Sequence, residues 1–283
     1  MKSYLPPLLI SLTLALSGCS TLSNLVEKPE SEWTVADYYQ RLKEAYDNEQ
    51  WEQVTQYGEK LLAYYPYGKE AEQAYLYLAY AYYKWDEPQS AMRTLNEFIR
   101  LYPKHRALPW AYYLRARAAE KVVASWFDRW LTDPARRSAE ALKEALTYYK
   151  AVVEKFPHSP YAEIARTKVI VFYNRLARHE FHVAQFYFKK GAYLAAANRV
   201  QELLKNYPRA IITPDAINLM AAAFDRLGMD VQAEHARTVL IAQFQKQVQR
   251  PPRQTLEQRR KLRQLEHKPP TPRSLRWSST ENP

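Results

Sequence analysis

Apolar residues recur every three or four positions along most of the chain from residue 33 to residue 245, which is the spacing of one buried face of an α-helix. Proline cannot continue a helix and biases the residue before it away from helical backbone angles, so an aromatic residue followed by proline predicts a helix end. Four such pairs occur: Tyr65-Pro66, Tyr102-Pro103, Phe156-Pro157 and Tyr207-Pro208. No segment alternates apolar and polar residues as a half-buried strand would, so the predicted fold is all-α.

Small and large side chains recur at fixed places between these helix ends. In the second stretch Ala79 and Ala91 allow two helices to approach, while Tyr82 and Leu95 fill the gaps between neighbours. A single helix pair cannot bury such a face alone, and repeated pairs stack into a superhelix. The pattern is that of the tetratricopeptide repeat, and it predicts about five helix pairs with a concave inner side between residues 33 and 245.

The predicted helix ends are unevenly spaced. The prolines lie 37, 54 and 51 residues apart, against about 34 for a regular repeat. The surplus predicts an extra helix from about Tyr161 to Leu176 and an insertion at residues 120–139 that contains Trp126, Phe127 and Trp130. We expect the insertion to fold back against the array as a plug; a contact with a partner protein is the alternative.

Composition agrees with helices joined by short turns, because only five of the 283 residues are glycine. The net charge of +11 is concentrated at the C-terminus, where residues 246–283 hold ten lysines and arginines against three glutamates. The folded part is therefore nearly neutral, and nucleic acid is not an expected partner. The basic, proline-rich tail is predicted to be disordered; it could meet anionic lipid or an acidic partner, or be a solvated linker.

The N-terminus has the pattern of a secretory signal. The apolar run at residues 8–16 is too short to span a bilayer and is followed by small residues, which predicts a signal peptide at residues 1–18. The tetrapeptide Leu-Ser-Gly-Cys that ends at Cys19 resembles the processing box of bacterial lipoproteins. That resemblance implies acyl chains on Cys19, a lipidated linker at residues 19–32 and, with Ser20 next, an outer-membrane location facing the periplasm. An ordinary signal peptide that leaves a free thiol is the alternative.

The residue patterns of common enzymes are missing from the sequence. There is no glycine-rich phosphate loop, and His179 and His182 lie three residues apart instead of the four that place two zinc ligands on one helix face. We therefore predict a protein that is not an enzyme, with no catalytic residue, no cofactor and no metal site.

The first helix of each pair should line the inner groove, and its register predicts the side chains found there. Tyrosines offer rigid apolar area with a polar tip, and cations among them can pair with a carboxylate, which suits an extended aromatic peptide with a free C-terminus. The alternative is that the tyrosines pack against one another and bind nothing. The predicted residues are Tyr39, Lys43 and Tyr46 in the first repeat, Gln73, Leu76, Tyr80, Tyr83 and Lys84 in the second, and Arg115 in the third.

Several segments in order resemble the BamD family, also called ComL, whose members are lipoproteins of the outer-membrane β-barrel assembly machinery. The resemblance covers residues 33–242, and its segments include Tyr65-Pro66-Tyr67-Gly68, Ala79–Lys84, Phe98–Pro103 and Arg175–Arg178. It implies a scaffold that binds the barrel-forming subunit BamA through its C-terminal repeats, near Arg199, and acts beside companion lipoproteins. It also implies that unfolded barrel precursors bind in the N-terminal groove. A cell-envelope tether, which binds peptidoglycan or lipid through its basic tail, is the alternative function.

Overall fold

A computed structural model of the chain describes residues 29–123 and 139–247. The predicted signal peptide, Cys19, most of the insertion and nearly all of the basic tail lie outside these ranges. The described residues form ten α-helices and no strand. The helices are α1 (Val35–Asp47), α2 (Trp51–Tyr64), α3 (Lys69–Lys84), α4 (Pro88–Leu101), α5 (Leu108–Val123), α6 (Ala139–Lys155), α7 (Pro160–Lys189), α8 (Tyr193–Asn206), α9 (Thr213–Arg226) and α10 (Asp230–Gln247).

Successive helices pack as five antiparallel pairs, which confirms the predicted all-α tetratricopeptide array. The predicted stops are also correct, because α2, α4, α6 and α8 each end at the residue before an aromatic-proline pair. In each case the aromatic residue closes the last helical turn with its backbone N–H. The N–H of Tyr65 donates to the carbonyl of Leu61 at 2.7 Å, and that of Tyr207 donates to Leu203 at the same distance.

The surplus length of the fourth repeat forms part of a long first helix. The segment predicted as a separate helix at residues 161–176 is helical, but it continues without a break to Lys189 as the 30-residue helix α7. No proline or glycine occurs between Pro160 and Gly191, so nothing in the sequence interrupts the hydrogen-bond ladder. The surplus of the third repeat falls between Val123 and Ala139, outside the described residues.

The core follows the predicted pairing of small with large residues. Gly58 on α2 is buried, and a Cβ atom at this position would lie 3.3 Å from the Leu78 side chain on α3. The main buried cluster extends from Tyr38 to Leu176, and two smaller clusters hold the C-terminal repeats together. Within the ranges described, no helix is both long enough and apolar enough to cross a bilayer.

Candidate functional site

The first helices of successive repeats form the inner face of the array. Helix α1 contacts α3, α3 contacts α5, α5 contacts α7 and α7 contacts α9. Each of these helices also packs against the second helix of its own repeat, which lies on the outer side. We refer to the surface of α1, α3, α5, α7 and α9 as the inner face.

A cluster of aromatic rings lies between α1 and α3, mostly buried beneath the inner face. The ring of Tyr46 lies 4.5 Å from that of Tyr77 and 5.9 Å from that of Tyr80, measured between centroids. Tyr39 lies 6.4 Å from Tyr77, and Trp51 of α2 lies 5.8 Å from Tyr80. These separations are those of interacting aromatic pairs, so the cluster joins the first two repeats.

Burial separates the predicted groove residues into two groups. Leu76 is fully buried, and Tyr46, Tyr80 and Tyr83 are 5, 5 and 6% exposed, so these four side chains are part of the core and do not line an open surface. The reason is that α1, α3 and α5 lie close enough for their inward side chains to fill the space between them. Tyr39 and Gln73 are half-buried, and Lys43 and Lys84 are exposed; the Lys84 ammonium lies 5.5 Å from the Trp51 ring.

Two tyrosines of the cluster, Tyr80 and Tyr39, are neutral hydrogen-bonding groups. Burial raises the pKa of Tyr80 above its usual value, and the neighbouring Tyr83 raises it further. Burial also raises the pKa of Tyr39, together with the nearby Tyr77. A phenol with a raised pKa keeps its proton at neutral pH, so these rings present O–H donors and apolar faces, not charge.

A polar network connects the inner helices of the second, third and fourth repeats. The Arg117 guanidinium donates to the hydroxyl groups of Tyr83 at 3.0 Å and Tyr113 at 3.3 Å. One turn further along α5, the Glu120 carboxylate accepts hydrogen bonds from Tyr149 of α6 and, at 2.8 Å, from Lys168 of α7. Burial raises the pKa of Tyr149 well above its usual value, and the Glu120 charge adds to this effect.

Arg115 does not belong to the inner face, so its predicted place in the groove is wrong. Its guanidinium donates to Asn96 of α4 at 2.7 Å and lies 4.3 Å from the Tyr148 ring of α6. Both partners lie on second helices, so Arg115 occupies an outer crevice, and burial lowers its pKa. The inward stripe of α5 is instead Tyr113, Arg117 and Glu120, whose spacing of four and three residues could have been recognised in the sequence.

The predicted partner-contact residue Arg199 lies on α8 and is about half-exposed. Its Nη1 atom is 3.8 Å from the carboxylate of Glu180 on α7. His179 and His182 lie nearby on α7, and the Nδ1 atom of His182 is 3.4 Å from the Gln185 amide oxygen. Over the two described ranges, no three histidine, cysteine or acidic side chains converge as a metal site would require.

Five stacked helix pairs, packed through small residues against large ones, define a tetratricopeptide-repeat protein. A family model, described as YfiO, outer membrane lipoprotein, matches residues 31–240, and the chain belongs to this family.

Relatives from two bacterial genera match over most of their length. The outer membrane protein assembly factor BamD of Neisseria meningitidis serogroup A is 31% identical over 249 residues, which are 87% of this chain and 92% of the relative. The protein of the same name from Vibrio cholerae serotype O1 is 31% identical over 234 residues, covering 82% of this chain and 95% of the relative.

Proposed function

We propose that this protein is a non-catalytic scaffold in the assembly of outer-membrane β-barrel proteins. The observation that carries the proposal is the family match, which begins before α1 and reaches into α10, and so includes all five helix pairs. The relatives that align over this length are named outer membrane protein assembly factors. A repeat array suits such a role because it holds several binding surfaces at fixed separations.

In this function the protein is held at the outer membrane by acyl chains on Cys19 and faces the periplasm. Several acyl chains anchor a protein firmly, at about 0.8 kcal/mol for each buried methylene group. Replacing Cys19 with alanine should release the protein from the membrane fraction, and mass spectrometry of the native protein should show acylation.

The N-terminal part of the inner face is the proposed receptor for unfolded barrel precursors. Four of the nine predicted groove residues are buried, and Arg115 lies on the outer side. The residues that remain accessible are Tyr39, Lys43, Gln73 and Lys84. Together they offer a phenol ring, an amide and two ammonium groups beside the aromatic cluster. Such groups suit an extended peptide with aromatic side chains and a C-terminal carboxylate.

The C-terminal repeats are the proposed contact for the barrel-forming subunit BamA, with companion lipoproteins in the same assembly. Arg199 supports this assignment because its guanidinium is about half-exposed while facing Glu180. A guanidinium carries five N–H donors, so one carboxylate leaves others available to a partner.

The test compares Arg199→Glu with Lys205→Glu, an exposed position on the same helix. We expect Arg199→Glu to reduce co-purification of BamA from detergent-solubilised membranes and to lower outer-membrane porin content, while Lys205→Glu leaves both unchanged. Equal amounts of BamA and porin in the two variants would reject Arg199 as the contact. If a variant loses membrane association but still co-purifies with BamA, the defect is in the acyl anchor and not in the BamA contact.

A further inference from the structure

Two opposite edges of the array differ in charge. The turns between repeats, at residues 64–70, 100–107, 155–160 and 205–213, are here called the joining edge. The last of them is offset along α7 by about 20 Å from the third, because it contacts Tyr173 and Asn174 in the middle of that helix. These segments hold seven lysines and arginines against one carboxylate. On the other edge, the described turns inside repeats lie at residues 47–52, 84–88, 189–193 and 225–231, and these four hold seven carboxylates against four cations. The corresponding turn of the third repeat lies outside the described residues. The seven cations of the joining edge are all exposed.

The chain enters the array at the joining edge. First helices start at this edge and second helices end there, so the segment before α1 lies beside the end of α2. Contacts fix it in place: the Glu30 carboxylate accepts from Lys60 at 2.6 Å, and the Trp33 carbonyl accepts from the Tyr65 hydroxyl at 3.2 Å. The Trp33 ring also lies 5.0 Å from the Tyr38 ring.

The distance from Cys19 to this entry point is short. Ten residue steps separate Cys19 from Pro29, and a fully extended chain covers at most about 3.5 Å per residue, so the span is at most about 35 Å. If Cys19 is acylated, as the proposed function requires, Pro29 cannot lie further than this from the bilayer surface, and the first joining turn lies on the same side of the array.

The part of the joining edge nearest this entry point has the chemistry of a membrane-interface contact. Tyr64 and Tyr67 are 65 and 77% exposed, and tyrosine rings favour the headgroup level of a bilayer. The hydrogen bond and negative charge of Glu97 raise the pKa of Arg100, and the nearby Tyr75 and Tyr67 add to this effect, so Tyr67 and Arg100 are neighbours. Cations near an anionic leaflet each contribute to binding.

We propose that the first two joining turns, with Tyr64, Tyr67, Lys69 and Lys104, form a surface that binds anionic phospholipid and seats the N-terminal repeats against the leaflet that holds the acyl anchor. This surface sets the orientation of the array: the joining edge faces the bilayer and the acidic edge faces the periplasm. The proposal rests on the proposed anchoring at Cys19 for its biological setting, but the surface itself binds lipid without the anchor.

The test uses the full mature chain with Cys19→Ser, which removes acylation and keeps the basic tail. Binding to vesicles of phosphatidylcholine and phosphatidylglycerol is measured for Lys69→Glu with Lys104→Glu, and for the matched pair Lys189→Glu with Lys190→Glu on the opposite edge. Since each cation near the surface is worth roughly fivefold in affinity, we expect the first pair to lower partitioning by roughly 25-fold or more. The matched pair should change it less than about twofold. Equal losses in both pairs would mean general charge attraction and would overturn the proposal.

A second measurement locates the contact. In the Cys19→Ser protein, a fluorophore attached at Ala63→Cys, an exposed position next to the first joining turn, or at Gln89→Cys, near the opposite edge, is exposed to vesicles with a headgroup-attached quencher. We expect strong quenching only at position 63; equal quenching at both positions contradicts the proposed orientation. If the acylated wild type still fractionates with the membrane and supports porin assembly while neither lipid test succeeds, this surface is rejected and the proposed function stands.

Discussion

The Lys168 ammonium lies 2.8 Å from the Glu120 carboxylate and connects the first helices of the third and fourth repeats. The other carboxylate oxygen accepts from the Tyr149 hydroxyl, so one acidic side chain contacts α6 and α7 from its place on α5. Arg117 approaches the same carboxylate at 3.9 Å. Lys168 and Glu120 are only 17 and 22% exposed, so the charges are poorly solvated and depend on one another.

Replacing Glu120 with glutamine should destabilise the array. The amide keeps the shape of the carboxylate but removes the negative charge that Lys168 and Arg117 face. Removing one partner of a buried ion pair typically costs 3–5 kcal/mol, and partial water contact places this case near about 3 kcal/mol. Urea unfolding followed by circular dichroism measures the change in the free energy of unfolding.

Glu97→Gln is the control for this substitution. Glu97 pairs with Arg100 on the surface of α4, where the guanidinium is 68% exposed, so the expected change is within about 0.5 kcal/mol. Replacing both Glu120 and Lys168 with methionine should recover part of the lost stability, because this ion pair then disappears as a unit. Recovery is incomplete because Arg117 keeps its charge and loses the nearby carboxylate, while its hydrogen bonds to Tyr83 and Tyr113 remain. A Glu120→Gln protein as stable as Glu97→Gln would show that the network does not stabilise the junction.

The close approach at Gly58 should make α2 sensitive to side-chain size. Alanine gains about 1 kcal/mol of helix propensity over glycine, but its Cβ would lie 3.3 Å from both Cβ and Cδ1 of Leu78. These effects oppose each other, so Gly58→Ala should be nearly neutral. Valine adds two methyl groups where there is no space, and Gly58→Val should cost about 1–3 kcal/mol. Thermal unfolding of both variants shows whether Gly58→Val is less stable than Gly58→Ala. A Gly58→Val protein as stable as the wild type would contradict the close packing of α2 against Leu78.

Helix ends and pairing could be predicted from the sequence because they depend on local chemistry. An aromatic-proline pair stops a helix wherever it occurs, and α2 and α8 end accordingly. The prediction of a separate extra helix at residues 161–176 is wrong at its C-terminal end, because no proline or glycine follows it before Gly191 and α7 continues to Lys189. The sequence does not show that Arg117, and not Arg115, points to the inner face. Side chains two residues apart on a helix point to different faces, and which face is inner depends on where α4 and α6 pack against α5.

The accessible part of the inner face gives a direct binding test. We expect a peptide with aromatic side chains and a free C-terminus to bind more weakly to Lys84→Glu and Lys43→Glu, by roughly two- to fivefold each, as exposed charge pairs contribute 0.2–1 kcal/mol. Fluorescence anisotropy of a labelled peptide measures the affinity. The same peptide with an amidated C-terminus is the control, because without its terminal charge it should lose this difference between wild type and variants. Identical affinities for the two peptide forms would exclude carboxylate recognition by these lysines.

His105 should make the stability of the array depend on pH. Burial lowers the pKa of this imidazole below its usual value, and the adjacent Arg106 adds to the effect. The Nδ1 atom accepts a hydrogen bond from the Ala107 N–H at 3.0 Å, which requires an unprotonated nitrogen. The Glu72 carboxylate lies 3.6 Å from Nε2 and favours the protonated ring, whereas the hydrogen bond from Ala107 favours the neutral ring.

Since the pKa is lower in the folded state than in the unfolded state, protons bind the unfolded chain more readily. The contribution of His105 is therefore complete above about pH 6.5 and is lost as the pH falls towards the lowered folded value. Urea midpoints measured from about pH 7.5 down to about pH 5 should decline more steeply for the wild type than for His105→Gln. His158→Gln, at an exposed position in the next joining turn, should keep the wild-type slope. A slope unchanged by His105→Gln would assign the acid sensitivity to carboxylates elsewhere in the array.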